Sequence, residues 1–401
     1  MARRTGLSAA DGEQADMPGL RRAGRALLAI VGLVVGTSAL VACTSDPPQP
    51  CPTAARPGLA IAVGGRANAP APVVPDRVGQ LIDKAVTDGT GIDVIRVDGH
   101  PSIACALSFT SDAANPVARA DDLNRYKQTA RGILGATRAK EPEANPLQAL
   151  VLASQAAGPG GPVVLIDSGL QTVAPLDFRA PGLMDADPDA VAKALSERGF
   201  LPDLKGHTVV LAGIGYTATP QSSLDEPRRA NLVRIWQKIV TAAGATVETV
   251  TTPNTGDAPA NLPAVSPVEV PPTDVIRIGC NTDSILSNDG AVGFQPDSTT
   301  FLDSARARQA LAEFAAFLTR NRDARASLVG TIAHYGTDDG DSGLSRQRAE
   351  RVREVLVDLG VDGSRIAAHG AGWGPFPSKD GPPSPADDQR NRRVVVSINC
   401  A

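Results

Sequence analysis

The residues of this sequence that could perform chemistry are few, and their spacing argues against a metal centre. The chain has five cysteines and four histidines in 401 residues. Zinc sites usually place two cysteines in a C-x-x-C step or add histidines at a fixed spacing. No C-x-x-C step occurs, and the histidines are scattered, at His100, His207, His334 and His369. We therefore predict neither a bound metal nor another cofactor.

Motifs for catalysis and for nucleic-acid binding are also missing. The chain has no Walker G-x-x-x-x-G-K-[ST] loop, and Ser168 lacks the G-x-S-x-G frame of a nucleophile elbow. The glycines at Gly370, Gly372 and Gly374 resemble part of a dinucleotide loop but open no predicted helix. A formal net charge of -4, with no basic tract after the leader, argues against binding phosphate backbones. We predict a protein that is not an enzyme and does not bind nucleic acid.

The N-terminal segment, residues 1–42, has the pattern of an export signal. Three arginines at 21, 22 and 25 precede an apolar run over residues 26–42. The run ends in Leu40-Val41-Ala42-Cys43, which resembles the bacterial lipobox. That resemblance implies that Cys43 receives a thioether-linked lipid, with acyl chains such as palmitate, and becomes the mature N-terminus. The protein would then be exported and lipid-anchored to the bacterial cell envelope, facing the periplasm or cell wall.

Two alternatives stay open for this segment. A retained membrane-spanning helix is the first, although a run of about 17 apolar residues is at the short limit for crossing a bilayer. The second concerns the start of translation, because Met17 would give a more compact leader than Met1.

The cysteines that remain after Cys43 are even in number. An exported protein meets an oxidising compartment, where such cysteines usually form disulfides. Four cysteines allow three connectivities. We favour Cys51 with Cys105 and Cys280 with Cys400, because each pair brackets one candidate domain.

Hydrophobic patterning divides the rest of the chain into a tether at 43–57, a domain at 58–252, a Pro-rich linker at 253–274 and a domain at 275–401. In the first domain, buried-strand patterns alternate with amphipathic helices. The predicted strands are Leu59–Val63, Ile92–Val97, Val163–Ile166, Val209–Ile214 and Val247–Val250. The predicted helices lie near Val78–Val86, Asp122–Leu134, Pro146–Ala156, Pro188–Arg198 and Arg229–Ala243. This alternation predicts an α/β fold with a doubly wound, mostly parallel sheet.

The second domain shows a different order of elements, typical of a smaller α/β sandwich. The predicted order is strand Val292–Phe294, helix Ser304–Thr319, strand Ala326–Ile332, helix Ser345–Leu359, strand Arg365–His369 and strand Arg392–Ile398. Ser345 is the predicted N-cap of the second helix, and Gly360 is predicted to end it in the left-handed conformation.

This second domain resembles the OmpA-like family. The resemblance rests on Leu344-Ser345-Arg346-Gln347-Arg348-Ala349, Val352, Leu356, Gly360-Val361, Arg365-Ile366, Gly370-Ala371-Gly372 and Asn391-Arg392-Arg393-Val394. Members of the family bind peptidoglycan by holding the diaminopimelate of its peptide stem between an arginine and an aspartate. The resemblance implies that Arg348 is that arginine and that Asn391 and Arg392 line the same pocket.

The sequence departs from the family pattern at the partner of that arginine. The family's aspartate falls on Ala333, and the asparagine before L-S is Asp341. Asp387 and Asp388 replace the Gly-Arg pair that usually precedes N-R-R. Asp341 or a neighbouring acid, Asp338 or Asp339, could supply the lost carboxylate. We therefore expect binding to peptidoglycan that is weaker than is typical of the family.

The first domain resembles, less specifically, a von Willebrand factor A-type domain. Such domains hold Mg²⁺ through D-x-S-x-S after the first strand, but here those positions are Gly64, Arg66 and Asn68. Without a carboxylate there we predict no divalent metal. Asp167 follows a strand, where α/β folds place ligand groups, but it also reads as a turn or helix-cap residue.

Two functions compete on this sequence. The first is a wall-tethering lipoprotein that binds peptidoglycan through its OmpA-like domain and an unknown envelope protein through the first domain. The second is a subunit of an envelope secretion or transport assembly with a vestigial wall-binding domain. A hydrolase that uses Asp167 or His207 is a third reading.

Overall fold

The chain forms two β-sheets, each with its own helices. The computed structural model describes residues 51, 57–270, 274–334, 342–376 and 384–400. We call residues 57–270 the middle region and residues 274–400 the C-terminal domain. Within the described ranges, no helix is both long enough and apolar enough to cross a bilayer. The predicted signal and Cys43 lie outside these ranges.

The middle region contains a six-stranded sheet in the order β3-β2-β1-β4-β5-β6. All neighbouring strands are parallel except β3, which runs antiparallel to β2. Its elements are β1 (Gly58–Val63), α1 (Asp76–Asp88), β2 (Gly91–Arg96), β3 (Ser102–Leu107), α2 (Pro116–Ala136), α3 (Pro146–Ala157), β4 (Val163–Ile166), α4 (Pro188–Glu197), β5 (Thr208–Ala212), α5 (Glu226–Ala242) and β6 (Thr246–Val250).

Both faces of this sheet are buried, which confirms the predicted doubly wound architecture. Along β1, Ala60 and Ala62 belong to the apolar cluster that contains α3, α4 and α5, whereas Leu59, Ile61 and Val63 belong to the cluster that contains α1 and α2. Successive side chains of a strand point to opposite faces, so an uninterrupted apolar run is the signature of a strand covered on both sides.

Four helices of the middle region begin with the same local signal. Asn115, Asn145, Asp187 and Asp225 precede α2, α3, α4 and α5, and each accepts a hydrogen bond from a backbone N–H of the first turn. A proline follows each cap within two residues, where its missing N–H costs no helical hydrogen bond. The local sequence therefore fixes where these helices start.

The sequence analysis missed β3. This strand lies at the edge of the sheet, and its first two residues, Ser102 and Ile103, are exposed. A half-exposed edge strand has neither the continuous apolar run of a buried strand nor a regular alternation, so periodicity does not reveal it.

The C-terminal domain contains a four-stranded sheet in the order β7-β10-β8-β9. Strand β10 is antiparallel to β7 and β8, and β8 is parallel to β9. Its elements are β7 (Thr282–Ser287), α6 (Ser304–Arg320), β8 (Arg325–Ile332), α7 (Ser342–Asp358), β9 (Ile366–Trp373), α8 (Pro385–Asn391) and β10 (Arg393–Asn399). Helices α6 and α7 bury their apolar sides, including Leu311, Phe314, Val352 and Leu356, against the sheet.

Two predictions for this domain were wrong. The first strand is β7, whereas Phe294 of the predicted strand Val292–Phe294 forms only an isolated bridge to Phe301. Val292 and Phe294 are apolar because they fill the core, and not because they belong to the sheet. Ser345 is not an N-cap, since α7 begins at Ser342; its buried hydroxyl instead accepts a hydrogen bond from the N–H of Gly372 (3.0 Å).

The contact between α7 and β8 is very close at one glycine. A Cβ atom at Gly330 would stand 2.1 Å from the carbonyl oxygen of Ser345, nearer than real Cβ atoms approach. Gly330 therefore lets the first turns of α7 lie directly on the sheet.

The structure contains two disulfides, Cys51–Cys105 and Cys280–Cys400. This is the connectivity that the sequence analysis favoured. The first joins the N-terminal side of the middle region to β3. The second joins the residues just before β7 and just after β10, so it closes the C-terminal domain.

The Pro-rich segment has no helix or strand between 251 and 270, in keeping with an extended linker, but it lies on the middle region. The side chain of Asn68 donates to the carbonyl of Val265 (2.8 Å), and the amide of Gln221 both donates to and accepts from the backbone of Val268. Val265 and Val268 are buried. Its extended backbone is therefore held by side chains that satisfy its polar groups.

Candidate functional site

Arg348 is a buried cation on α7. Its Nε donates to the carbonyl of Ser298 (3.0 Å), one terminal nitrogen donates to the carbonyl of Gln295 (3.2 Å), and the guanidinium lies over the ring of Phe294 (5.3 Å). Only 7% of the residue is exposed. These neutral partners hold the guanidinium in one orientation but do not neutralise its charge.

Arg392 is a second guanidinium next to the first. It lies at the C-terminus of α8, is half-buried, and donates to the side-chain oxygen of Gln389 (3.3 Å). Burial, and then the charge of Arg392, lower the pKa of Arg348, while Asp297 raises it. Among the described residues, no carboxylate lies within ion-pair distance of either arginine. Two adjacent cations without a bound acid form a site for an anion, and a guanidinium suits a carboxylate bidentately.

Both arginines line a cleft of about 700 Å³ between the C-terminal domain and the middle region. Ala333, Asp297 and Asp289 lie on the C-terminal side, and the loop before α4 with the first turn of α4 lies on the other. Cavities of about 300 to 1,000 Å³ are typical of sites for small molecules. The cleft therefore has the size for one residue of a peptide, and Arg348 and Arg392 are its candidate contacts for a carboxylate.

The two parts of the chain meet beside this cleft. Ala386 of α8 is buried in the same apolar cluster as Val191 and Leu195 of α4. A Cβ atom at Gly182, in the loop before α4, would stand 2.6 Å from the carbonyl oxygen of Ala386. The middle region thus packs directly on α8, the helix that carries Gln389 and ends at Arg392.

Ala333 lies in the cleft wall, at the position that the family resemblance assigns to an aspartate. The residue is buried, and its methyl group offers a ligand no charge. The next N–H, of His334, donates to the carboxylate of Asp388 (2.9 Å), and Asp387 forms a capping box with Ser384 at the start of α8. The two acids that replace the family's Gly-Arg pair therefore have structural partners.

The other predicted site residues have different outcomes. Asn391 is fully buried and does not line this cleft; its side chain accepts from the N–H of Phe376 (3.0 Å) and donates to the carbonyl of the same residue (2.6 Å). It therefore fastens the chain after β9, behind the pocket. Asp341, Asp338 and Asp339 lie outside the described residues.

Three further residues that line the cleft were not predicted from the sequence: Asp289, Gln389 and Asp185. Burial, and then the charge of Asp185, raise the pKa of Asp289 to about 7. No signal in the sequence marks these residues, since Asp289-Gly290 reads as an ordinary turn. Asp289 and Gln389 are 100 residues apart in the sequence, and only the tertiary fold brings them together in the wall of the cleft.

A second polar cluster lies in the middle region, between the ends of β1 and β4. Here the strand order reverses direction, which is where open α/β sheets bind ligands. Arg66 is fully buried, and its guanidinium forks onto Asp167, with Nε to Oδ2 at 3.0 Å and Nη2 to Oδ1 at 2.9 Å. It also donates to the hydroxyl of Ser168 (2.8 Å). The only acid of this cluster is therefore neutralised by the protein's own cation.

The pair leaves little room for anything else. A Cβ atom at Gly64 would stand 1.8 Å from Oδ2 of Asp167. Within the ranges that the structure describes, no three His, Cys, Asp or Glu side chains are grouped as a metal site would require. Asp167 thus serves Arg66 in the folded protein, rather than only capping the turn that follows it.

Comparisons with known proteins identify the C-terminal domain. Residues 293–392 match the OmpA family, so the chain carries an OmpA family domain at its C-terminus, as predicted. The match does not extend to the middle region, whose resemblance to von Willebrand factor A-type domains stays a prediction. No curated protein matches the chain.

Several solved structures are similar to this chain. The peptidoglycan-associated lipoprotein of Burkholderia pseudomallei is 24% identical, covers 29% of this chain and 89% of its own, and has a TM-score of 0.24. The periplasmic domain of MotB from Helicobacter pylori is 16% identical, covers 31% and 79%, and has a TM-score of 0.25. The OmpA-like domain of FopA1 from Francisella tularensis is 23% identical, covers 29% and 72%, and has a TM-score of 0.23.

Proposed function

We propose that this protein is an exported lipoprotein of the bacterial envelope that binds peptidoglycan through its OmpA family domain. The observation that carries the proposal is the pair of cations, Arg348 and Arg392, that faces an open cleft without a bound acid. In this proposal the pair binds a carboxylate of the diaminopimelate stem. The role is binding, and no residue is assigned to catalysis.

The proposed location rests on two features of the sequence and structure. The first is the Leu40-Val41-Ala42-Cys43 segment after an apolar run. The second is the pair of disulfides, because disulfides persist in oxidising compartments outside the cytoplasm. Mass spectrometry of the mature N-terminus should find a lipid on Cys43. An intact, unmodified leader would show that the chain is not anchored in this way.

Sedimentation of the mature protein with purified peptidoglycan tests the binding. We expect Arg348→Ala to abolish cosedimentation, because it removes the more deeply buried cation of the pair. Arg392→Ala should weaken it without disturbing the loop that Arg348 holds. Arg346→Ala is the matched control, since Arg346 is exposed on the same helix and does not line the cleft. If Arg348→Ala and Arg346→Ala behave alike, Arg348 is not the wall contact.

A second function is favoured by one specific observation. Ala333 stands where the family resemblance requires an acid, and this weakens the case for wall binding. The alternative is a subunit of an envelope assembly, in which the middle region binds a protein partner and the C-terminal domain no longer binds peptidoglycan. A folded wild-type protein that fails to sediment with peptidoglycan would support this alternative.

A further inference from the structure

The cleft that contains Arg348 also contains an acid that forms no ion pair with the described residues. Asp289 lies two residues after β7, in the cleft wall, and is half-buried. It accepts a hydrogen bond from the side-chain nitrogen of Gln389 (3.2 Å) but forms no ion pair with any described residue. A carboxylate removed from water without an ion-pair partner is unfavourable, and a bound ammonium would relieve that cost.

Gln389 links this acid to the arginine pair. Its amide nitrogen donates to Asp289, and its amide oxygen accepts from Arg392 (3.3 Å). One primary amide therefore separates a carboxylate from a guanidinium along the cleft. This arrangement presents an acceptor for an ammonium on one side of the amide and a donor for a carboxylate on the other, which is a pattern suited to a zwitterion.

The middle region adds negative charge at the same end of the cleft. Asp185 lies in the loop before α4 and lines the cleft, and Arg228 of α5 pairs with it at 2.8 Å. Arg228 also pairs with Asp225 at 3.2 Å. Arg228 therefore pairs with two carboxylates, Asp185 and Asp225, and its charge also acts on a third, Asp289. The mutual repulsion of Asp185 and Asp289 is what an additional cation would remove.

The other described acids of the cleft are already engaged. Asp187 caps α4 through the N–H of Ala190 (2.9 Å), and Asp189 pairs with Lys238 (2.7 Å). Asp297 is exposed and acts on Arg348 itself. Asp289 is thus the acid whose surroundings most require a cation.

We propose that Asp289, assisted by Asp185 of the middle region, binds the ammonium of a zwitterionic wall-peptide residue whose carboxylate lies on Arg348 and Arg392. This inference rests on the proposed function. It assigns to Asp289 the task that Ala333 cannot perform, and it makes the middle region part of the ligand site. The ligand class is an amino acid residue with both its amine and its carboxylate free.

Calorimetry on the mature, full-length protein tests this assignment with two probes. One is a soluble stem tripeptide that contains diaminopimelate, and the other is the same peptide with the free amine acetylated. We expect wild type to prefer the free amine by about tenfold or more, the value of a charge-assisted contact. Asp289→Asn keeps the size of the side chain and should erase that preference. Asp283→Asn is the control, because Asp283 is exposed on β7 and does not line the cleft.

A second measurement needs no variant. An ammonium beside Asp289 favours its ionised form and lowers a pKa that Asp185 and burial now hold at about 7. Binding of the free-amine peptide at pH 7 should therefore release protons, detected as a binding enthalpy that depends on the buffer. Binding of the acetylated peptide should release fewer. Arg228, Gln389 and Arg392 are the other charged or polar groups around Asp289, and their contacts stay the same with both probes.

The outcomes separate this inference from the proposed function. A wild-type preference that Asp289→Asn removes supports it. A preference that survives in Asp289→Asn assigns the amine to another acid and overturns it, as does equal binding of the two probes; the proposed function stands in both cases. If neither probe binds at millimolar concentration, both proposals are wrong.

Discussion

The chain contains two buried guanidinium groups that differ in whether a carboxylate of the protein pairs with them. In the middle region, Arg66 is fully buried and forks onto Asp167 at 2.9 and 3.0 Å. In the C-terminal domain, Arg348 is almost as deeply buried, but its partners among the described residues are carbonyl oxygens and the face of Phe294. A buried charge that is paired inside the protein contributes to the fold, whereas one without a counter-charge is available to a ligand. The same residue type is thus paired within the protein in one region and open to a ligand in the other.

The largest difference should come from the same substitution in both regions. Arg66→Met leaves Asp167 buried without its cation, which costs on the order of 3 to 5 kcal/mol of unfolding free energy. Arg348→Met leaves two carbonyl oxygens without a hydrogen-bond donor but creates no unpaired charge. The unfolding free energy should therefore fall by about 1 kcal/mol. Chemical denaturation of the two variants measures both values.

The double variant Arg66→Met/Asp167→Leu is the control for this comparison. Removing both charges should restore most of the lost stability, because a buried ion pair replaced by apolar groups is often neutral. A double variant as unstable as Arg66→Met would mean that Arg66 stabilises the fold through its packing or its bond to Ser168, and not through Asp167.

The next effect concerns ligand affinity at Arg348. Arg348→Met should weaken binding of the diaminopimelate peptide by about 1.5 to 3 kcal/mol, or one to two decades in Kd. Calorimetry measures the loss, and circular dichroism checks that the domain remains folded. Binding that survives unchanged would make Arg348 as structural as Arg66 and remove the contrast between the regions.

Adding an acid to the cleft sharpens the comparison. Ala333→Asp places a carboxylate in the wall that also holds Arg348, and we expect peptide binding to tighten by about tenfold because a second acid reaches the ammonium. If the new side chain pairs with Arg348 instead, the site becomes like Arg66 and Asp167, and affinity falls. The sign of the change, read by titration, therefore decides between the two outcomes.

The smallest expected effect is a dependence of stability on pH. The pKa of Asp289 is raised to about 7 by burial and by Asp185, so the folded protein holds this proton more tightly than the unfolded chain does. The resulting stabilisation is complete near pH 4 and is lost as the pH rises to about 7, with a slope of at most about 1.4 kcal/mol per pH unit. Between pH 5 and 7.5, the unfolding free energy of wild type should fall as the pH rises, and that of Asp289→Asn should not. If the unfolding free energies of the two proteins depend on pH in the same way, another group is responsible.

Much of the fold could be predicted from the sequence because its signals are local. The apolar runs of β1, β4 and β5 and the Asn or Asp caps with proline before α2 to α5 are complete within a few residues. Edge strand β3 and the short helix α8 were missed because half-exposed elements carry weak periodicity. The prediction of a strand at Val292–Phe294 was wrong because residues buried in a loop are as apolar as residues buried in a sheet.

Less of the candidate site could be predicted. Arg348 was found through the ordered motif around it, and Arg392 lies in a second motif of the same family. Asp289, Gln389 and Asp185 belong to no motif. They meet because Gln389 of α8 contacts Asp289 and because α8 packs on the loop before α4. Arg66 and Asp167 were each considered as candidate site residues, but their ion pair was not predicted. It forms because the ends of β1 and β4 lie side by side, and the order of residues along the chain does not show this.

The disulfide between Cys51 and Cys105 has a mechanical consequence. If lipid holds the chain at Cys43 and the wall holds Arg348, tension between membrane and wall enters the folded protein at Cys51. The covalent bond passes that force directly to β3, so the covalent path bypasses β1, α1 and β2, which lie between the two cysteines in the sequence. Arg66, which follows β1, thus lies within the bypassed part of the chain, beside the covalent path of the force.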